Sequence, residues 1–414
     1  MDKRIVLIFM LFFIFILLFI GIVFVSENKN MDELRKSYGN ISDKAFLYRK
    51  TNLKIWAIRL VLSFLIPTLF LFTGLSSKIK DFAQGKSQRI FFIIAVYVII
   101  YAFIDFLINL PLDYYRNFIV DHRFGLSNQS FFRWTEVTLK NFVLNLVIYA
   151  AFLWFPFYLI NRSPNRWWFY LGLISIPVYL FVSFISPMYI DPIFNKYTAV
   201  EDKELEKEIK GLLKKADIEG AQIYQVDKSR DTKEMNAYMT GVFSSRRIVL
   251  WDTTIKNLTR QEVLNVTAHE IGHYVMGHIW KLIVLGGIST IFLLFLVDKT
   301  SLFILRGSKG GFGFKNLYDI AALPLLILVL NFYMFLGSPI LNGYSRYIEK
   351  EADTFELELT RNREATASSL IKLHEESLAI PRPSKIFEFW YYSHPSCEER
   401  VNFALNYKFK GKLP

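Results

Sequence analysis

The chain has 414 residues, a formal net charge of +12 and a single cysteine, and 53% of its residues are hydrophobic. A mean hydropathy of +0.28 excludes an ordinary soluble globular protein, and one cysteine excludes both an internal disulfide framework and a cysteine-rich zinc site. The basic residues lie in short loops beside apolar stretches, which favours anionic lipid headgroups over nucleic acid as their partner.

Seven apolar stretches are each about 20 residues long, which is enough to cross a bilayer. They cover residues 5–25, 57–76, 90–110, 142–161, 168–188, 279–297 and 319–340. The first stretch is longer than the apolar part of a signal peptide and no small-x-small cleavage site ends it, so it is predicted to be an anchor. Lys and Arg occur in loops on both sides of the spans, so charge does not settle the orientation.

Asp105 and Asn109 lie one helical turn apart in the third stretch. Polar side chains at membrane depth are costly and usually face protein or water. Two interpretations stay open: the pair lines an aqueous chamber, or it forms hydrogen bonds between helices.

A polar segment follows the first five stretches. Its pattern predicts an amphipathic helix over Lys203–Ala216 and a strand over Ile223–Val226. A β-hairpin is predicted from Met235–Phe243 and Arg247–Trp251, with its turn at Ser244-Ser245. An exposed edge of such a hairpin can pair with an extended peptide. The alternative is that the hairpin is purely structural.

The sequence Thr267-Ala268-His269-Glu270-Ile271-Gly272-His273 ends this polar segment. In a helix, His269 and His273 lie about 40° apart around the axis, so both imidazoles can bind one zinc ion. Glu270 projects beside them, as a base for a water molecule requires. The pattern indicates a zinc peptidase.

A catalytic zinc usually takes three protein ligands and keeps one position open. On a continuing helix, His278 would lie about 140° around the axis from His273, so it is predicted to miss the metal and to lie in the outer shell or at an interface. The better candidate is Glu349, in a predicted helix where Asp353 follows one turn later on the same face. Asp353 could orient one of the imidazoles.

The alternative for this acidic stretch is a solvated helix face, which is the fate predicted for Glu351 and Glu356. Glu349 follows His273 by 76 positions, and the last two apolar stretches lie between them. The zinc is therefore expected at the bilayer boundary, which favours a membrane-associated substrate. Cys397 is predicted to be an inert thiol.

From Leu110-Pro111 to about Arg400, the chain resembles the CAAX prenyl protease 1 family, integral-membrane zinc metallopeptidases of the gluzincin type. The matching segments are Leu110-Pro111 with Tyr114-Tyr115-Arg116 and Phe124-Gly125, Asp191-Pro192-Ile193-Phe194-Asn195, Asn236-Ala237-Tyr238, Arg247-Ile248-Val249-Leu250-Trp251-Asp252-Thr253, His269 to His273, Pro339-Ile340-Leu341-Asn342 with Ser345-Arg346, Glu349 with Ala352-Asp353, and Ser393-His394-Pro395 with Arg400. The family's usual Glu-Tyr-Gln-Ala-Asp is Glu349-Lys350-Glu351-Ala352-Asp353 here, which keeps the ligand and its neighbour.

The resemblance implies one zinc ion per chain, held by His269, His273 and Glu349, with Glu270 as general base. It implies that His394 and Arg400 help to stabilise the reaction centre. The tetrahedral oxyanion needs donors, for which His394 and Arg400 are the candidates; alternatively, Arg400 could bind a substrate carboxylate bidentately. The resemblance also implies that the edge of the hairpin holds the substrate, through Asn236, Ala237 and Tyr238, and that the catalytic domain faces the cytosol.

The predicted fold is mainly α: about seven transmembrane helices enclosing a chamber, with a small α+β metallopeptidase domain. The predicted segments are 1–188 with five spans, 189–278 with the first part of the catalytic domain, 279–340 with two spans, and 341–414 with the third ligand. His122 and His374 are predicted to be surface histidines.

The expected function is hydrolysis near the C-terminus of prenylated Cys-a-a-X proteins, in the inner membrane of a bacterium or the endoplasmic reticulum of a eukaryote. The alternative is a broad-specificity quality-control protease for membrane proteins. A transporter would have no use for this set of ligands, and the inverted repeats that would support one are not visible in the sequence.

Overall fold

Helices make up most of the computed structural model, which describes residues 2–39, 41–218, 220–241, 245–411 and 413. The helices, numbered in chain order, are α1 (Lys3–Ser37), α2 (Asp43–Phe72), α3 (Leu75–Lys86), α4 (Ile90–Tyr114), α5 (Asp121–Arg123), α6 (Phe131–Phe152), α7 (Trp154–Arg162), α8 (Trp167–Tyr189), α9 (Lys203–Lys215), α10 (Asp252–Asn257), α11 (Arg260–Val275), α12 (His278–Ser308), α13 (Leu323–Thr360), α14 (Arg363–Glu376), α15 (Lys385–Tyr391) and α16 (Cys397–Asn406).

Within these described ranges, seven helical segments are long and apolar enough to cross a membrane. They are α1, α2, α4 with its continuation to Arg123, α6 with α7, α8, α12 and α13. The number and order of the predicted spans are thus confirmed, and the chain is an integral, multi-pass membrane protein.

Small residues let two of the membrane helices approach closely. A Cβ on Gly287 of α12 would lie 2.5 Å from Cγ1 of Ile176 in α8, and one on Gly172 of α8 would lie 2.5 Å from Cγ1 of Ile291. Association of helices in a bilayer depends on such close packing, because lipid offers no hydrophobic driving force between them. Any larger side chain at these two glycines would force α8 and α12 apart.

The last membrane helix also carries the predicted third ligand. α13 has 38 residues, which corresponds to about 57 Å at 1.5 Å per residue. Its first half is the seventh span, and its last turns carry Glu349 and Asp353. Residue 340, predicted as the boundary between two segments, lies inside this helix, and Pro339 does not break it. The membrane region and the third-ligand position are therefore joined without a loop.

A four-stranded sheet packs against the helices that carry the predicted ligands. Its strands are β1 (Tyr197–Ala199), β2 (Gln222–Val226), β3 (Ala237–Thr240) and β4 (Arg247–Trp251), in the order β1-β2-β4-β3. β2 and β4 are parallel, and the other two pairs are antiparallel.

The predicted hairpin is confirmed in its pairing, from Ala237 opposite Leu250 to Thr240 opposite Arg247. Part of its predicted turn, Ser244, lies outside the described residues. The buried leucines of the predicted amphipathic helix, now α9, pack with the sheet and with α11 in one hydrophobic core. Because β3 is an outer strand, it presents one edge that no strand of the sheet covers.

Asp105 and Asn109 are both half-buried in α4. The side-chain amide of Asn109 donates to the carbonyl of Asp105 at 2.9 Å, so it is used within its own helix. The enclosed chamber that this pair was proposed to line stays a prediction.

Candidate metal centre and active site

Two helices, α11 and α13, bring the predicted metal ligands together. α11 begins with a capping box, in which Thr259 and Glu262 exchange hydrogen bonds between side chain and backbone. Lys372 and Ser368 of α14 donate to the carboxylate of Glu262 at 2.7 Å each. This network fixes the start of the helix three turns before its last imidazole. Gly272 then lets α11 lie directly against Phe355 of α13.

The side chains of His269, His273 and Glu349 converge on one point. Nε2 of His269 and Nε2 of His273 lie 3.1 Å apart. Oε2 of Glu349 is 3.3 Å from the first of these nitrogens, and its Oε1 is 3.4 Å from the second. All three residues offer one ligand atom within 4.8 Å of the others. The structure therefore brings the three predicted ligands together.

The chemistry of this cluster fits a divalent cation. Two imidazole nitrogens 3.1 Å apart can share at most one proton, so at least one lone pair points into the cluster. Oε2 of Glu349 is buried and receives no hydrogen bond of acceptable geometry from the described residues. A buried oxygen of this kind needs an explanation. Two imidazoles and one carboxylate are the donor set that a catalytic zinc takes.

Asp353 fixes the orientation of His269 from behind. Its Oδ1 lies 3.0 Å from Nδ1 of His269, which leaves Nε2 for the metal. Arg400 donates to the same carboxylate through Nε at 3.0 Å and through Nη2 at 2.5 Å. Burial disfavours the charged imidazole, but hydrogen bonds to Asp353 and Glu349 raise the pKa of His269 well above its usual value.

The guanidinium of Arg400 is already occupied. Its Nε and Nη2 both donate to the carboxylate of Asp353. The side chain of Arg400 is only 12% exposed. Nη2 also lies 3.4 Å from Nδ1 of His269, but this is no hydrogen bond when Nδ1 carries a proton for Asp353. The geometry places Arg400 behind the ligands and not at an open face.

Two acidic residues that were predicted to be solvated are not. Glu356 is 3% exposed, lies 3.8 Å from Nδ1 of His269, and accepts a hydrogen bond from Thr366 at 2.6 Å. Glu351 is half-buried and contacts His278. The prediction failed because charged runs were assigned to solvent, whereas Glu349, Asp353 and Glu356 recur at the helical spacing of one buried face.

His278 lies outside the ligand cluster, as predicted, but the reason given was wrong. The helix does not continue through it: α11 ends at Val275, and Gly277 has a φ of +66°. A left-handed glycine commonly ends a helix. His278 begins α12 and its ring turns back, so that its Nδ1 lies 2.9 Å from Nδ1 of His273.

Glu270 lies half-buried beside the two imidazoles on α11. Burial raises the pKa of its carboxyl, although the neighbouring His269 and His273 oppose this. A base with a raised pKa can both accept a proton and return it near neutral pH.

His394 reaches the cluster from the loop between α15 and α16. Its Nε2 lies 3.3 Å from Oε1 of Glu349, and its side chain is 58% exposed. Partial burial lowers the pKa of His394, which keeps the ring neutral. The ring is thus the one predicted catalytic side chain that is both open to solvent and beside a ligand.

The sequence reasoning assigned no role to the residues that hold the end of α15 and the start of this loop. Arg346 donates to the carbonyl of Glu388 at 3.1 Å and to that of Tyr392 at 2.5 Å. Asn342 donates to the carbonyl of Trp390 at 2.6 Å. Asn342 and Arg346 precede Glu349 and Asp353 on the same face of α13, at a spacing of four, three and four residues. This helical spacing was the signal from which a role for Asn342 and Arg346 could have been predicted.

The three residues of the predicted substrate edge lie where β3 begins, and β3 packs against α11. The N–H of Ala237 is covered by Oδ1 of Asn236 at 2.8 Å. The hydroxyl of Tyr238 donates to Asp191 at 3.3 Å and lies 3.1 Å from the hydroxyl of Tyr197. The predicted edge is present in the structure, and the hydroxyl of Tyr238 connects it to Asp191 in the segment that follows α8.

The remaining singled-out residues lie outside the cluster. Cys397 is buried, and burial raises the pKa of its thiol to about 11, as an inert thiol requires. His122 is exposed, as predicted. His374 is half-buried and not a surface residue: its Nδ1 lies 3.1 Å from the carbonyl of Leu370.

Comparisons with known proteins agree with this geometry. The sequence pattern of peptidase family M48 matches residues 199–408, and that of the CAAX prenyl protease N-terminal region, described as five membrane helices, matches residues 33–196. The uncharacterized metalloprotease YhfN of Bacillus subtilis is 33% identical over 372 residues, which cover 89% of this chain and 87% of that protein. The CAAX prenyl protease 1 homolog of Dictyostelium discoideum is 30% identical over 391 residues, with coverage of 88% and 86%.

The crystal structure of S. mikatae Ste24p has the same fold, with a TM-score of 0.79, 25% sequence identity and coverage of 88% of each chain. The chain is therefore a membrane metalloprotease that belongs to peptidase family M48 and, within it, to the CAAX prenyl protease 1 group.

Proposed function

We propose that the protein is a zinc-dependent endopeptidase that hydrolyses peptide bonds near the C-terminus of prenylated Cys-a-a-X proteins. The observation that carries the proposal is the convergence of His269, His273 and Glu349 from two helices with two membrane spans between them. A metal site assembled in this way lies beside the bilayer, where a lipidated C-terminus is already held.

The metal would be held by Nε2 of each imidazole and by the carboxylate of Glu349. When bound, zinc supplies Lewis acidity, which polarises a peptide carbonyl and acidifies a water molecule. The choice of zinc rests on the donor set of two nitrogens and one carboxylate oxygen.

Glu270 is the general base of the proposed reaction. Its carboxylate takes the proton of the attacking water and later returns it to the amine of the leaving peptide. The raised pKa of Glu270 supports this double role. Neutral His394 donates its N–H to the oxygen that becomes negative in the transition state, and its exposure leaves the ring free to meet a substrate.

Arg400 acts through other residues. Because its guanidinium is occupied by Asp353, and Asp353 by His269, we infer that Arg400 is a positioning residue for the first ligand. This replaces the direct role in which it would bind an oxyanion or a substrate carboxylate.

The outer edge of β3 would hold the substrate as an added strand. Strand addition satisfies the backbone of the peptide whatever its side chains, so recognition of the lipid must come from elsewhere. In the structure, the backbone N–H of Ala237 donates to Oδ1 of Asn236. This hydrogen bond must break before the same N–H can donate to a bound peptide.

The test is cleavage of matched farnesylated and unmodified Cys-a-a-X peptides by the purified full-length protein. The controls are a zinc chelator and Glu270→Gln, which removes the base but none of the three ligands. Cleavage of the lipidated peptide alone, abolished by both controls, is the expected result. Wild-type turnover by metal-loaded Glu270→Gln would contradict the mechanism.

The second candidate is a broad-specificity protease for membrane proteins. The 33% identical relative from Bacillus subtilis is named only as a metalloprotease, without a prenylated substrate, which keeps this second candidate open. Equal cleavage of both peptides would support this candidate and leave the chemistry unchanged. In either case we place the catalytic side at the cytosolic face, in the inner membrane of a bacterium or the endoplasmic reticulum of a eukaryote.

A further inference from the structure

The two proposed histidine ligands differ in the group that contacts Nδ1 of the imidazole. Nδ1 of His269 meets a carboxylate directly, that of Asp353 at 3.0 Å. Nδ1 of His273 meets a second imidazole, that of His278, at 2.9 Å. His278 is 1% exposed and its ring lies at 74° to that of His273.

The proton positions along this contact are fixed by the ligand role of His273. If Nε2 of His273 faces the metal with its lone pair, its single ring proton resides on Nδ1. The acceptor must then be the lone pair on Nδ1 of His278. The proton of His278 is left on its Nε2, which lies 3.2 Å from Oε2 of Glu351. Each ring thus carries one proton, and each proton has an acceptor.

Glu351 ends the series and is itself held. The hydroxyl of Tyr347 donates to Oε1 at 3.1 Å, and the ammonium of Lys281 to Oε2 at 3.4 Å. Lys281 comes from α12 and Tyr347 from α13, so the carboxylate that orients His278 is fixed from both membrane helices.

We propose that His278 is a positioning residue for the metal centre: it accepts the Nδ1 proton of His273 and so holds that imidazole in the tautomer that presents Nε2 to the metal, with Glu351 as the terminal acceptor. The proposal rests on the metal site of the proposed function. It does not depend on which peptide is cleaved.

The experiment measures metal affinity and not activity. The full-length protein in detergent is stripped of metal and titrated with Zn²⁺ against a competing chelator, and with Co²⁺ while its absorption bands are recorded. His278→Leu, which removes the acceptor at similar volume, is expected to weaken binding about 10- to 100-fold. It should also shift the cobalt bands, because the ring of His273 is free to rotate.

Two further variants separate orientation from packing. His278→Asn keeps an acceptor where Nδ1 lies and should recover most of the affinity. His374→Leu removes another half-buried histidine, one that contacts the carbonyl of Leu370, and should leave affinity and cobalt bands unchanged. A merely structural histidine would lower the melting temperature of His278→Leu without altering metal affinity or the bands.

Wild-type affinity in folded His278→Leu overturns the proposal, provided that the wild-type protein binds metal. If the wild-type protein binds none, the proposed function itself is wrong. If His278→Leu is not recovered folded, Glu351→Leu decides: it keeps both imidazoles but removes the final acceptor, and is expected to weaken metal binding several-fold. Unchanged affinity in Glu351→Leu then overturns the proposal.

Discussion

The glycine between the two proposed histidine ligands sets the distance between the helices that carry the proposed metal site. Gly272 of α11 faces Phe355 of α13, and Phe355 is 1% exposed. In Gly272→Ala the added methyl would lie 3.0 Å from Cβ, 3.1 Å from Cδ1 and 3.2 Å from Cγ of Phe355. Carbon atoms in contact prefer about 3.5–4.0 Å, so the helices must separate by roughly 0.5 Å or the ring must move.

Two opposite effects on stability follow from this one methyl group. Overpacking of a core costs about 1–3 kcal/mol, whereas alanine in place of glycine within a helix gains about 1 kcal/mol. The net change is therefore a loss of about 0–2 kcal/mol in the free energy of unfolding. The metal centre has no such compensation, because metal–ligand distances must be met within about 0.2 Å. We expect metal affinity to fall at least about tenfold, which is 1.4 kcal/mol, while the melting temperature of the metal-free protein falls by a few degrees at most.

Chelator competition on the purified full-length protein measures this affinity. Gly211→Ala in α9 is the matched control, because no heavy atom lies within 4 Å of its added Cβ. It gains the same helix propensity and should bind metal as the wild type does. Gly272→Ala with wild-type metal affinity and wild-type turnover would refute the claim that α11 and α13 set the ligand geometry by contact.

Three further predictions concern the supports of the site. Arg346→Gln should lower kcat at least about tenfold while metal content stays at the wild-type level, because it releases the loop of His394 but no metal ligand; loss of metal in this variant would contradict that division. Burial opposes the charge of Glu262, but hydrogen bonds from Lys372 and Ser368 hold its pKa below the usual value. The contribution of Glu262 to stability is therefore complete above about pH 4.5 and is lost as the pH falls further. At pH 7, Glu262→Gln should have a lower melting temperature than the wild type, and this difference should shrink in acid. Removal of metal by a chelator should lower the melting temperature, and added Zn²⁺ should restore it.

The convergence of the proposed ligands could be predicted because their spacing and their chemistry coincide. His269 and His273 recur at one helical turn around Glu270, and Glu349 and Asp353 recur at one turn on a second helix. Few other functions use such a set, so short-range periodicity was enough. The structure brings these side chains together as expected.

What the sequence did not reveal depends on where helices stop. α13 was divided because hydropathy falls after residue 340, although hydrogen bonding along a helix continues across a change in polarity. His278 was placed on a continuing helix, because the left-handed conformation of Gly277 is not visible without a structure. Gly277, four residues after His273, was a signal for a helix end that could have been used.

Long-range pairings were also beyond the sequence. β1 has three residues and pairs with β2 across the whole of α9, and no local pattern specifies such a partner. The burial of Glu356 depends in the same way on α14, whose Thr366 supplies its hydrogen bond. Both features arise from contacts between segments that are distant in the chain.

Two membrane spans separate the proposed ligands in the chain, and this separation also determines when the metal centre can form during synthesis. The ribosome releases both imidazoles first, and Glu349 follows 76 positions later, beyond α12 and at the far end of α13. A nascent chain that lacks this last pair of helices also lacks the carboxylate of Glu349, the third proposed ligand. The proposed metal centre is therefore completed only after this last pair of helices has been made.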